Sequence, residues 1–178
     1  MAHARKRRVP PSRYRCPENS GNLPESARGT GGTVPMPDER TQQTRRVVTE
    51  FGERFAAKDD GLWEDLVAAD FVNHATGTRG RDAWRATFAT LRHDLGEFVV
   101  EEHRVLVDGD MAAVHSTLRG RHIASTMPLL RGVPATGIEV AWEFQHLFRV
   151  EDGKLAEHWA CRDDLGLLVQ LGAWFPAS

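Results

Sequence analysis

The stretch Glu151-Asp152-Gly153-Lys154-Leu155-Ala156-Glu157-His158-Trp159-Ala160-Cys161-Arg162-Asp163-Asp164-Leu165-Gly166 contains a turn, a strand and the start of a helix. Glu151 to Lys154 separates two runs of alternating apolar residues, which predicts a β-hairpin. If residues 154–163 form a strand, their side chains alternate between two faces. Asp163 then ends an inward-facing row, where a carboxylate is placed to act as an acid or base. That row is Leu155, Glu157, Trp159, Cys161 and Asp163.

Apolar residues also alternate with a period of two in the sequence before this hairpin, which predicts further strands. Residues 98–107 and 111–123 flank a tight-turn signal, Asp108-Gly109-Asp110. Residues 125–137 contain two prolines and two glycines, which predicts a connecting loop at the rim of the sheet. In the next strand, one face carries Ile138, Val140, Trp142, Phe144, His146, Phe148 and Val150.

The first half of the core has the helical period instead. Asp38 is placed to cap a helix that runs to about Lys58. Residues 61–68 and 82–95 predict two more helices, and residues 165–171 a last short one. Helices followed by consecutive hairpins predict an α+β fold, with a curved antiparallel sheet wrapped around N-terminal helices and a pocket between them.

Composition divides the 178 residues into a tail and one domain of ordinary size. Residues 1–37 hold seven Lys or Arg against two Glu and six of the nine prolines, so we predict a disordered basic tail. A targeting or nucleic-acid-binding arm and a natural start at Met36 are the alternatives. Residues 38–175 form the predicted domain.

Charge and cysteine content exclude several classes of protein. The total charge is −2 and the tail has +5, so the domain carries −7, which argues against a core that binds nucleic acid. The tail has no apolar run long enough for a secretory signal or a membrane span. One of the two cysteines, Cys16, lies in the tail and the other, Cys161, in the domain, so no disulfide framework is indicated. We expect a cytoplasmic protein.

Five motifs occur in a fixed order between about Arg40 and Trp174. They are Asp70-Phe71-Val72-Asn73-His74, Leu118-Arg119-Gly120-Arg121-His122, Gly132-Val133-Pro134-Ala135-Thr136-Gly137, the run His146 to Trp159, and the run Asp163 to Gly172. In these motifs the chain resembles the SnoaL-like polyketide cyclase family of the nuclear-transport-factor-2-like superfamily. The resemblance implies a cone-shaped fold, a hydrophobic, polycyclic small-molecule substrate, and a homodimer or homotetramer.

The resemblance also implies a reaction, the intramolecular aldol ring closure of a polyketide ester without a cofactor. By motif position its general acid and base is Asp163, four residues after Trp159. The neighbouring Asp164 is expected to cap the last helix. The alternative for Asp163 is a helix-capping or salt-bridged carboxylate.

Other side chains complete the expected site. His146 interrupts an apolar row and is the second catalytic candidate, as a hydrogen-bond donor to the developing enolate. Flat aromatic rings would stack on a polycyclic substrate. The alternative for each of these residues is an ordinary place in the core. The expected substrate-binding residues are His74, His122, Trp142, Phe144 and Trp159.

The sequence indicates no metal, since its histidines and cysteines lack ligand spacing. His158 and Cys161 are three apart on one strand and therefore do not form a nucleophile pair. Two other functions remain open: a non-catalytic binder of small molecules, and a related isomerase or epoxide hydrolase. For the outer face of the sheet we expect Val105, Val114 and Leu147, a surface suited to self-association.

Overall fold

The computed structural model of the protein describes residues 38–174, so the predicted tail lies outside the described residues. Four helices and six strands follow one another along this part of the chain. They are α1 (Glu39–Ala56), α2 (Leu62–Leu66), β1 (Val67–Asn73), β2 (Thr78–Arg79), α3 (Arg81–Leu95), β3 (Val99–Asp108), β4 (Met111–Arg121), β5 (Glu139–Glu151), β6 (Lys154–Arg162) and α4 (Asp164–Gln170). The predicted α+β fold is confirmed.

The six strands form one curved sheet in the order β2-β1-β6-β5-β4-β3. All neighbours are antiparallel except β1 and β6, which run parallel. Tight turns join β3 to β4 and β5 to β6, and the longer rim loop joins β4 to β5. The β5–β6 turn has positive φ at both Asp152 (50°) and Gly153 (74°), as an Asp-Gly two-residue hairpin requires.

Strand β1 is the main departure from the predicted elements. The sequence predicted a helix over residues 61–68 and no strand after it, but the helix ends at Leu66. Val67–Asn73 instead pairs with β6, and Val67, Phe71 and Asn73 are buried. The short strand forms because pairing with β6 satisfies its backbone while its side chains enter the core.

The helices pack on the concave face of the sheet, as their apolar stripes predict. Val47 and Val48 of α1 and Trp84 of α3 are buried in one cluster with Phe148 of β5. A second cluster lies around Trp142, with side chains from α3, the rim loop and α4. The concave face is therefore filled by helices at both ends.

A β-bulge in β6 overturns the predicted inward-facing row. Arg149 pairs with Glu157 and Val150 pairs with Leu155, so Ala156 is an extra residue in β6. Leu155 and Ala156 are both buried, and every later side chain changes face. The prediction that Glu157, Trp159 and Cys161 point inward is therefore wrong, and Asp163 lies beyond the end of the strand, where the alternation no longer applies.

The outer face also differs from expectation. Leu147 is 38% exposed and Leu106 is 70% exposed, and their strands present them away from the helices. Val105 and Val114, which were expected beside Leu147, pack in the core. Among the described residues, no helix combines the length and apolar character needed to cross a bilayer.

The rim loop between β4 and β5 is held by a buried carboxylate. Asp94, at the end of α3, is completely buried and accepts hydrogen bonds from the amides of Thr126 (2.8 Å) and Met127 (2.7 Å). The hydroxyl of Thr126 and the ring of His93 add two more contacts. Burial alone would raise the pKa of Asp94, but these hydrogen bonds outweigh it and hold the pKa at about 2.

Replacing Asp94 with alanine is expected to lower the free energy of unfolding by about 3 kcal/mol, because two backbone donors lose a charged acceptor. Urea denaturation measures this change. Asp60→Ala, which removes a carboxylate that is 82% exposed, is the matched control and should cost less than about 1 kcal/mol. Equal losses in the two variants would show that Asp94 does not hold the loop.

Candidate active site

The concave face of β5 and β6 brings together three of the predicted site residues. Trp142, Phe144 and His146 occupy alternate positions of β5 and so share one face. Phe144 stacks on His146, with ring centroids 5.1 Å apart, and contacts Trp142 in a tilted arrangement at 4.7 Å. This row combines flat apolar rings with one imidazole.

His146 is linked to two polar residues that lie deeper in the sheet. Its Nδ1 lies 2.9 Å from Nε2 of His158 in β6. Nδ1 of His158 lies 3.1 Å from Oδ1 of Asn73 at the end of β1. Asn73 and His158 are almost completely buried, at 2% and 5% exposure. We call these three residues the Asn73–His158–His146 chain.

Both imidazoles of this chain are held neutral by burial. Desolvation lowers the pKa of His146 from 6.5 to about 4. Desolvation, with repulsion from His146 and His74, lowers the pKa of His158 to about 3. Each ring therefore offers one N–H donor and one lone-pair acceptor at neutral pH.

Asp163 lies at the end of β6 as the N-cap of α4. Its Oδ1 accepts a hydrogen bond of 2.8 Å from the amide of Gly166, and its side chain is exposed. Its own amide donates to Glu143 of β5, three positions before His146. By strand rise this spacing corresponds to about 10 Å along the sheet. Asp163 thus follows directly on the last paired residue of β6, at the end of the sheet.

The structure differs from the expectation about which of the two neighbouring aspartates caps α4. Asp163, not Asp164, caps the helix, so the prediction for Asp164 is wrong. Asp164 instead pairs with Arg162 at 2.9 Å, and its Oδ1 is buried without a hydrogen-bond partner among the described residues. The guanidinium of Arg162 also lies over the Trp142 ring, 5.2 Å from its centroid.

His74 and Trp159 lie together, but on the outer face of the sheet. Their rings are parallel, with centroids 4.4 Å apart. His74 also contacts Glu157 at 2.6 Å, and Arg149 donates to the same carboxylate at 2.7 Å. Hydrogen bonds from His74 and Arg149 lower the pKa of Glu157. His74, Arg149 and Glu157 border an open cleft of about 630 Å³.

His122 is a fully buried residue of the rim loop. Its Nε2 lies 2.9 Å from the hydroxyl of Ser125, and its Nδ1 lies 3.1 Å from that of Thr136. Both ring nitrogens are therefore used to connect the two ends of the loop. The structure does not place His122 with the β5 row.

Sequence reasoning missed Asn73, His158 and Arg162 as residues of the concave face. The alternation rule, applied without a bulge, assigned His158 and Arg162 to the other side. Two adjacent apolar residues at Leu155 and Ala156 were the available signal, because a strict two-residue period places only one of them inside. Within residues 38–174, no three His, Cys, Asp or Glu side chains are grouped to hold a metal.

Comparison with known proteins gives one consistent result. Residues 45–171 match the model of the SnoaL-like polyketide cyclase family. The aklanonic acid methyl ester cyclase DnrD of Streptomyces peucetius is 33% identical over 106 residues, which are 59% of this chain and 70% of DnrD. The nogalonic acid methyl ester cyclase of Streptomyces nogalater is 31% identical over 118 residues, which are 64% of this chain and 85% of that cyclase.

A solved structure supports the same fold. TsrD from Streptomyces laurentii superimposes with a TM-score of 0.65 at 24% identity, and the match covers 78% of this chain and all of TsrD. At that identity the likeness concerns the fold alone. The curved sheet and its packed helices are therefore an arrangement shared with other proteins.

The neutral histidines predict that the folded protein loses stability in mild acid. Above pH 6.5 both rings are neutral in the folded and unfolded chain. Between pH 6.5 and about pH 4 the unfolded chain binds protons that the folded chain does not. The free energy of unfolding therefore decreases as the pH is lowered through this range. We expect a loss of about 2 kcal/mol per histidine between pH 7 and pH 5.

Urea denaturation at pH 7 and at pH 5 measures this loss. His158→Gln removes one of the two groups and should reduce the difference between the two pH values by about half. A difference that is the same in His158→Gln and wild type would contradict the assignment of the loss to this ring.

Gly166 is predicted to be required for the position of the Asp163 carboxylate. A Cβ at Gly166 would lie 2.6 Å from Cγ of Asp163, so alanine would displace the carboxylate and break the cap. The lost cap costs about 1 kcal/mol, which cancels the gain in helix propensity. Gly52→Ala in α1 meets only an ordinary contact at 3.6 Å and should gain up to about 1 kcal/mol. An equal increase in the free energy of unfolding for Gly166→Ala and Gly52→Ala, measured by urea denaturation, would refute the prediction.

Proposed function

The chain belongs to the SnoaL-like polyketide cyclase family, and on this premise we propose that it is a cofactor-independent polyketide ester cyclase. The observation that carries the proposal is the family match over residues 45–171, which includes the whole β5 row and Asp163. The two cyclases reported above are named for methyl esters of polyketide acids. We infer an aromatic polyketide ester as substrate.

The proposed reaction is an intramolecular aldol addition. A base removes a proton from a carbon that is flanked by carbonyl groups, and the resulting enolate attacks a carbonyl carbon of the same molecule. One carbon–carbon bond forms, and the alkoxide takes up a proton, so no redox partner is needed. One carboxylate can serve as base and then as acid.

We assign this role to Asp163, on its motif position and its place at the end of β6, where its amide donates to Glu143 of β5. One of its oxygens is held by the amide of Gly166. The hydrogen bond fixes the carboxylate while its second oxygen is left to exchange a proton. The exposed position also keeps the group accessible to a substrate that enters from solvent.

For substrate binding, the β5 row of Trp142, Phe144 and His146 supports the proposal best. The half-buried rings of Phe144 and His146 can stack on a flat polycyclic molecule, while Trp142, which is 1% exposed, packs in the core beside them. The indole N–H of Trp142 is sealed from solvent without an acceptor among the described residues, so it would donate only to a carbonyl that enters the core. His74 and Trp159 face outward and His122 holds the rim loop, so the geometry favours none of the three as a substrate contact.

We also propose that the protein is a cytoplasmic homodimer or homotetramer. Support for self-association comes from the exposed Leu106 and Leu147 on the outer sheet face. Support for a reducing compartment comes from Cys161, which is exposed and unpaired.

A second candidate function is a non-catalytic binder of small molecules with the same fold. It is favoured by one observation, that Asp163 is exposed and already engaged as a helix cap. A structural role of this kind needs no proton transfer. The two functions differ in whether the protein turns over a substrate.

The test compares the neighbouring carboxylates in a ring-closure assay with aklanonic acid methyl ester and nogalonic acid methyl ester. Asp163→Asn keeps an oxygen that can cap the helix but removes the base, because asparagine is also a good N-cap. We expect its rate to fall by about a hundred- to ten-thousand-fold, with unchanged stability. Asp164→Asn is the matched control and should stay within a few-fold of wild type.

Each outcome has a distinct meaning. Binding of the esters without ring closure by the wild-type protein would overturn the cyclase and favour the binder. Ring closure that survives in Asp163→Asn but is lost in Asp164→Asn would keep the cyclase and move the acid–base role to Asp164.

A further inference from the structure

The Asn73–His158–His146 chain has a fixed direction of hydrogen bonding, and this direction starts at Asn73. The amide of Ala75 lies 3.1 Å from Oδ1 of Asn73. A backbone N–H can only donate, so the side-chain atom that faces it must be the acceptor oxygen and not the amide nitrogen. The orientation of the Asn73 amide is therefore set by the backbone of the β1–β2 turn.

The orientation of Asn73 determines the tautomer of His158. The same Oδ1 faces Nδ1 of His158 at 3.1 Å, so Nδ1 must carry the proton. A neutral imidazole has one protonated nitrogen, which leaves Nε2 of His158 as an acceptor. Burial at 5% exposure keeps this ring neutral.

His158 in turn determines the tautomer of His146. Its acceptor Nε2 faces Nδ1 of His146 at 2.9 Å, so that nitrogen must be the donor. Because His146 is neutral as well, its Nε2 holds a lone pair and no proton. The sequence predicted a donor at this position, and the hydrogen-bond chain gives an acceptor.

The free nitrogen of His146 is open to a ligand. Nε2 has no hydrogen-bond partner among residues 38–174, and it is not among the polar atoms that are sealed from solvent. The ring lies between Phe144 and Phe148, with centroids 5.1 Å and 5.8 Å away. An acceptor between two aromatic rings suits a hydroxyl group on a flat aromatic molecule.

We propose that Asn73 and His158 are positioning residues that present Nε2 of His146 as an acceptor for a phenol or enol hydroxyl of the substrate. The inference rests on the proposed function for its substrate class. A lone pair at Nε2 would repel an enolate oxygen, so stabilisation of the enolate falls to other donors. The hydroxyl contact gives the substrate a fixed orientation on the β5 row.

Ring nitrogen chemical shifts of ¹⁵N-labelled protein at pH 7 test the tautomer directly. We expect the Nε2 signals of both His146 and His158 to be those of unprotonated nitrogens, with His146→Leu and His158→Gln used for assignment. Asn73→Leu removes the anchor and should give a mixture of tautomers at His146. Should Asn73→Leu fail to fold, the wild-type spectrum still decides, because a protonated Nε2 at His146 overturns the proposal.

Binding of two probes tests the acceptor role without catalysis. Wild-type protein should bind 2-hydroxyanthraquinone about fivefold more tightly than 2-methoxyanthraquinone, since one hydrogen bond contributes about 1 kcal/mol. His146→Leu should remove this preference, and Val169→Ala, at an exposed position of α4, should keep it. Equal affinity of the wild-type protein for the two probes, or no binding of either, would refute the acceptor role.

The outcome of these measurements does not depend on the outcome of the ring-closure assay. A protein that shows the expected tautomer and probe preference but closes no ring would lose the cyclase assignment and keep the acceptor at His146. A protein that closes the ring with a protonated Nε2 at His146 would keep the cyclase and lose this inference.

Discussion

The bulge at Ala156 decides which side chains of β6 line the concave face of the sheet. Side chains alternate along a strand, so one extra residue exchanges the faces of all residues after it. The exchange places His158 against the Phe148 ring and within hydrogen-bond distance of His146. It also turns Glu157 outward, where Arg149 and His74 pair with it.

The resulting concave face separates neutral polar groups from charged ones. Two imidazoles and an amide lie deep on this face and hydrogen-bond to one another, which reduces the cost of burying polar atoms. The carboxylate of Asp163 remains exposed at the end of β6, held by the N-terminus of α4. A hydrophobic substrate with hydroxyl and carbonyl groups matches this surface better than an ionic one does.

The sequence predicted the β5 row correctly because Trp142, Phe144 and His146 follow an undisturbed two-residue period. It failed at Trp159 because the rule was applied across a bulge that lies between this residue and the turn. It failed at Asp163 because the strand ends one residue earlier, at Arg162. His122 shows a different limit, since its partners Ser125 and Thr136 belong to a loop without any period. His146 was found, yet its role as acceptor depends on residues that the pattern did not connect to it.

The sequence by itself determined the order of helices and strands, their approximate ends and the family, because helical and strand periods and turn residues act over a few positions. Only the tertiary structure decided which polar groups meet. Asn73 and His158 are 85 positions apart, and their contact exists because β1 pairs with β6 in one register. Register and bulges are set by the fit of two strands against a shared core, a property that neither strand carries alone.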